Sequence, residues 1–69
     1  MFLLRLVING EEKNIDGAKT IEDLLRLLDY EKDAVAVALE GTFVSRSKYN
    51  EHQLQDAQEI EILMPMQGG

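Results

Sequence analysis

The groups with the most chemical potential stand at the end of the chain. Gly68 and Gly69 follow closely on an apolar, strand-like run containing Ile60, Ile62, Leu63 and Met64. Glycine lacks a Cβ, so a Gly-Gly end threads a slot too narrow for any other residue. What such an end delivers is a terminal α-carboxylate, with Gly68 as its slender approach. That group, with a pKa of about 3.3–3.7, is ionised at neutral pH. It is a poor electrophile until one oxygen is made a leaving group. Residues 65–69 are expected to form a flexible tail behind a domain of residues 1–64, reaching roughly 16–18 Å when extended. Met66 and Gln67 suit the wall of a partner's channel, methionine adapting well to irregular apolar surfaces.

The rest of the chain offers little catalytic equipment. There is one histidine and no cysteine. His52 therefore has no companion for a metal site and no nucleophile to serve as base; it reads as a residue that organises its loop. Arg46 suits either a local salt bridge or a partner contact. The acidic pairs Glu11-Glu12 and Glu59, Glu61 read as solvated faces, and no glycine-rich phosphate loop is present. Any thiol needed for thioester or sulfur chemistry must come from a partner. Thirteen acidic against seven basic residues give a net charge of −6, which argues against nucleic acid or anionic membrane and for a protein with a basic docking surface. No apolar run approaches the ~20 residues of a membrane span. The opening MFLLRLVI is broken by Arg5 and lacks a cleavage signal, so a cytoplasmic protein is expected.

The elements that must position the tail can be read from periodicity. Phe2, Leu4, Leu6 and Ile8 share one strand face, with Leu3, Arg5 and Val7 on the other. Asn9-Gly10 is the favoured pair for a type I′ hairpin turn, returning through a polar strand from Glu11 to Ile15. Thr20 to Leu28 reads as a helix with Thr20 as N-cap and Asp23 completing a weak capping box. Its Ile21, Leu24, Leu25 and Leu28 form one apolar stripe, and Glu22 and Arg26 pair across a turn on the wet side. Val35 to Leu39 reads as a covered strand with Val35, Val37 and Leu39 inward. Thr42 to Val44 is a brief strand, Ser45 to Gln58 an irregular polar stretch plugged by Leu54, and Glu59 to Met64 a last strand with Ile60 and Ile62 inward. The whole predicts an α+β domain: one mixed sheet of four to five strands with a single packed helix. Leu3, Val7, Ala36, Ala38 and Leu63 are expected to form an apolar docking patch on the uncovered sheet face.

Several segments carry a family resemblance. They are Ile8-Asn9-Gly10-Glu11, Thr20-Ile21 with Leu24-Leu25 and Leu28, and Val35 to Gly41. The series Val44, Arg46, Ser47, Tyr49, His52, Leu54, Asp56 follows, then Ile60 to Ile62 with Gly68-Gly69. Together they resemble the ThiS family of sulfur carriers in thiamine (thiazole) biosynthesis, over nearly the whole chain. Two departures fall in the loop: Ser45 where proline is frequent, and Asp56-Ala57-Gln58 where Asp-Gly-Asp is common. The resemblance implies a β-grasp, ubiquitin-like fold and a carrier that is a macromolecular substrate rather than an enzyme. Its implied partners are a ThiF-like adenylyltransferase, a cysteine-bearing sulfur donor and the thiazole synthase ThiG. ATP and Mg²⁺ would act on the adenylating partner, with no cofactor or metal bound here. Gly69 would be adenylated and converted to a thiocarboxylate, and Leu63, Ala36, Ala38, Arg46, Met66 and Gln67 would meet partners. The small subunit of molybdopterin synthase and a ubiquitin-like protein modifier share this tail chemistry and stand as alternatives. The Arg-Ser-x-Tyr-x-x-His segment argues against the former.

Overall fold

The computed structural model describes residues 3–64. Strand β1 (Leu3–Ile8) and strand β2 (Glu11–Asp16) form the expected hairpin. Its turn has φ of 51° at Asn9 and 84° at Gly10, the two positive values a type I′ turn needs. Helix α1 spans Ile21–Leu27, and β3 (Ala36–Leu39) and β4 (Thr42–Val44) make a second hairpin. Strand β5 (Glu59–Leu63) enters the middle of the sheet, whose order is β2-β1-β5-β3-β4. It runs parallel to β1 and antiparallel to β3. A central last strand is therefore the one that leads into residues 65–69.

The helix starts where the sequence puts it, and the reason is local. The Thr20 hydroxyl accepts from the Asp23 amide at 3.2 Å, and the Asp23 carboxylate accepts from the Thr20 and Lys19 amides at 3.3 and 3.1 Å. The Lys19 bond above all, with the Thr20 bonds and the Arg26 charge, holds Asp23 below its usual pKa against a counteracting effect of burial. The other exposed amides of the first turn are met from a distance. Ile21 donates to the His52 carbonyl at 3.2 Å and Glu22 to the Tyr49 carbonyl at 3.0 Å. A helix this short forms only with such tertiary help.

One apolar cluster joins the two layers. Leu4, Leu6 and Ile8 from β1, Val37 and Leu39 from β3, and Ile60 and Ile62 from β5 face Ile21, Leu24 and Leu25 of α1. Leu28 is partly buried against them, and Leu54 is buried as the plug of its loop. Every inward residue expected between 3 and 64 is inside; Phe2 lies outside the described residues. Tyr49, the largest fully buried side chain, was not foreseen as core. It arrives from the polar stretch, on a short 3₁₀ turn at Arg46–Lys48.

Candidate functional site

Gly68, Gly69, Met66 and Gln67, with the expected flexibility of residues 65–69, lie outside the described residues. What the structure places is the platform they follow. Leu63, the last residue of β5, is 47% exposed and sits directly across from half-buried Ala36 on β3. Met64, next in the chain, is 63% exposed. Phe43 on β4 stands on the same outer face, 65% exposed. Neither Phe43 nor Met64 was singled out for this face. The signal for Phe43 was present, because Val44 is partly buried against the core and alternation turns its neighbour outward.

Two expectations about this face need correction. Ala38 does lie on the outer side, but it is only 2% exposed. Phe43 and Glu61 stand opposite it on the two flanking strands, and a methyl group between two longer side chains is shielded by them. Ala38 therefore shapes the surface without presenting one. Nor do the outward apolar residues form one patch. With Val7 opposite Glu59 in parallel register, Leu3 lies four residues one way and Leu63 four residues the other. That separates them by about 26 Å along the strands. Between them lie Arg5, Glu59 and Glu61, all exposed, and half-buried Val7. The face is apolar at the end where β5 leaves the sheet and acidic in its middle.

Arg46 and His52 both make hydrogen bonds that hold the fold while staying exposed. The Arg46 guanidinium donates to the Lys32 carbonyl at 3.1 Å and the Val35 carbonyl at 3.5 Å. The buried Tyr49 hydroxyl donates to the same Val35 carbonyl at 3.4 Å. Together they tie the 3₁₀ turn to the segment entering β3. His52 acts through its backbone, whose carbonyl caps α1, while its side chain is exposed. That side chain lines an open groove of about 610 Å³ with Phe43, Val44 and Lys48. Among the described residues, no three His, Cys, Asp or Glu side chains are grouped to hold a metal ion. No described helix is long and apolar enough to cross a membrane.

Side chains also finish the central β1–β5 ladder at both ends. The Arg5 amide donates to the Asp56 carboxylate at 2.8 Å, and the Arg5 carbonyl accepts from Ala57 at 2.6 Å. The amides of Val7 and Asn9 then reach the Gln58 and Ile60 carbonyls, at 3.0 and 2.9 Å. Beyond them the Asn9 side chain takes over, bonded to both backbone groups of Ile62. Ala57 holds φ at 67°, where a side chain is disfavoured and glycine is at ease. This is the position of the loop's departure from Asp-Gly-Asp.

A mixed five-stranded sheet with one helix across it, and a central last strand ending at an exposed apolar edge, defines a β-grasp, ubiquitin-like protein. The chain belongs to the ThiS family, whose sequence model matches residues 6–69. It is similar to the crystal structure of a thiamine biosynthesis protein, ThiS, from Geobacter metallireducens. The TM-score is 0.81 at 29% identity, covering 96% of this chain and 100% of that one. A solution structure of a thiamine biosynthesis protein from the same organism gives 0.79 at 29% identity, covering 96% and 88%. Thiazole synthases from Paramagnetospirillum magneticum and Magnetococcus marinus are 36% and 33% identical over 66 residues. Those alignments take in 96% of this chain, which spans 20% of the length of each of these curated relatives.

Proposed function

We propose that this protein carries sulfur for thiazole formation in thiamine biosynthesis, on the carboxylate of Gly69. The observation that carries the reading is the ThiS family match running through residue 69. It lies over a fold whose central last strand ends at an exposed apolar edge. Because the carboxylate is ionised and unreactive, a ThiF-like partner first transfers AMP from ATP to it, releasing pyrophosphate. Mg²⁺ on that partner neutralises the phosphates. A persulfide on a cysteine-bearing donor then attacks the acyl carbon and expels AMP, forming an acyl disulfide. A second thiol cleaves this bond, supplying two electrons as it becomes a disulfide, and leaves the thiocarboxylate. Thiazole synthase takes the sulfur from there. The chain is thus a macromolecular substrate, working in the cytoplasm and binding no cofactor of its own.

In this reading the partner docks on Leu63, Ala36, Met64 and Phe43, with basic groups facing Glu59 and Glu61. Met66 and Gln67 line its channel. Intact mass spectrometry with the adenylating partner, ATP and a persulfide donor tests the chemistry. The wild type should gain the mass difference of sulfur for oxygen. A Gly69 deletion shortens the reach by ~3.5 Å and should gain nothing. Sulfur on the deletion variant, or none on the wild type, contradicts the carrier reading.

A further inference from the structure

Strand β1 stops at Ile8, yet β5 runs on to Leu63. From the pairing of Ile8 with Ile60, Ile62 is the next residue of β5 to turn its backbone toward β1. By that point β1 has already swung away through Asn9-Gly10. The Asn9 carboxamide fills the gap. Its Oδ1 accepts the Ile62 amide at 2.8 Å and its Nδ2 donates to the Ile62 carbonyl at 3.3 Å, both partly shielded from solvent. A carboxamide offers a donor and an acceptor in one plane, so it stands in for the peptide group a longer strand would have supplied. The backbone amide of the same residue holds the Ile60 carbonyl at 2.9 Å. On the other flank, Leu63 pairs with Ala36. The strand is thereby gripped from both sides up to its last residue, and the chain departs at Met64. Asparagine and glycine both suit the first position of this turn, but only asparagine brings a carboxamide that can reach Ile62.

We propose that Asn9 is a positioning residue for the C-terminal tail, its carboxamide fixing the direction in which the chain leaves the sheet after Leu63. The inference rests on the carrier reading. It follows that Asn9 governs how often a docked tail brings its carboxylate into reacting geometry, while Leu63 stays held in the docking surface by its pairing with Ala36. Loss of the clamp should therefore lower kcat for adenylation and spare KM.

Two variants separate the parts of the clamp. Asn9→Gly keeps the turn and removes the side chain. Asn9→Asp keeps the turn and the acceptor, but sets a second oxygen against the Ile62 carbonyl. Ile15→Val, a core change remote in sequence from the tail, serves as the control for stability alone. Amide exchange at Ile62 should quicken by about tenfold in Asn9→Gly and less in Asn9→Asp. Misplacement near 1 Å costs on the order of 10²-fold. With the adenylating partner and ATP, kcat for Asn9→Gly should thus fall about tenfold or more while KM stays within about twofold. Ile15→Val should melt earlier with kcat unchanged. An Asn9→Gly protein that keeps the wild-type kcat, or loses activity only through KM, overturns the proposal. A wild type that is never adenylated removes the carrier reading and this inference together. That outcome is distinct from one in which wild type and variant react alike.

Discussion

The loop from Ser45 to Gln58 and the tail-side end of the sheet contrast in what they show and what they do. The loop carries the chemically suggestive residues, Arg46, Tyr49 and His52. Two Arg46 donors and the Tyr49 hydroxyl bond carbonyls at the entrance to β3, and the Tyr49 and His52 carbonyls cap α1. The outer face toward that end shows Leu63, Ala36 and Met64, with Phe43 across β3 at the level of Glu61, and nothing reactive among these four. Yet Leu63 and Met64 are accessible at the exit of the chain, half-buried Ala36 lies beside Leu63, and with exposed Phe43 they form the candidate surface. A distinctive motif can therefore report on how a small domain closes its loops.

The largest effect expected is on stability, and it should come from the loop. Tyr49→Ala removes the largest buried side chain together with its hydrogen bond. The loss should be about 3–5 kcal/mol, measured by urea denaturation, and a loss below about 1 kcal/mol would break the assignment of the loop to scaffolding. Leu63→Glu should do the reverse. Stability should stay within about 0.5 kcal/mol, while affinity for the adenylating partner falls about tenfold, or ~1.4 kcal/mol. Leu3→Glu, at the far end of β1, should leave that affinity unchanged in the same titration. Equal losses from both would restore a single continuous patch.

Smaller effects sharpen the picture of how the loop and helix are held. Thr20→Ala should cost about 1 kcal/mol by removing the cap. Asp23 is held below its usual pKa, so it contributes stability above the unfolded value of about 3.9. That contribution is lost as pH falls through the lowered folded value. Asp23→Asn should accordingly narrow the difference between unfolding midpoints at neutral and acidic pH; an unchanged difference would assign the acid sensitivity elsewhere. The smallest change is a gain. Ala57→Gly relieves a left-handed residue worth roughly 1–2 kcal/mol and gives back about 0.5–1 kcal/mol in chain entropy. A net rise in melting temperature is expected, and a fall would show that the turn accommodates alanine without strain.

Much of this was legible from local pattern. Alternation put Leu4, Leu6, Ile8, Ile60 and Ile62 inside, Asn9-Gly10 announced its turn, and Ile21, Leu24 and Leu25 marked the packed face of the helix. What escaped depends on partners distant in the chain. Alternation gives the face of Ala38 but not its cover, which comes from Phe43 and Glu61 on two other strands. The separation of Leu3 from Leu63 is set by the stagger of β1 against β5, which neither strand encodes alone. Tyr49 sits in a stretch with no period, so nothing local marks it as core. The pair of hydrogen bonds between Asn9 and Ile62 spans most of the chain, and only the structure brings those residues together.

The division between scaffold and surface is tested most directly by mapping amide chemical-shift changes as the adenylating partner is titrated into isotope-labelled protein. The largest changes are expected at Ala36, Phe43, Leu63 and Met64, with Leu3 and the Ser45–His52 segment little affected. Changes centred on Arg46 and His52, with Leu63 silent, would contradict it.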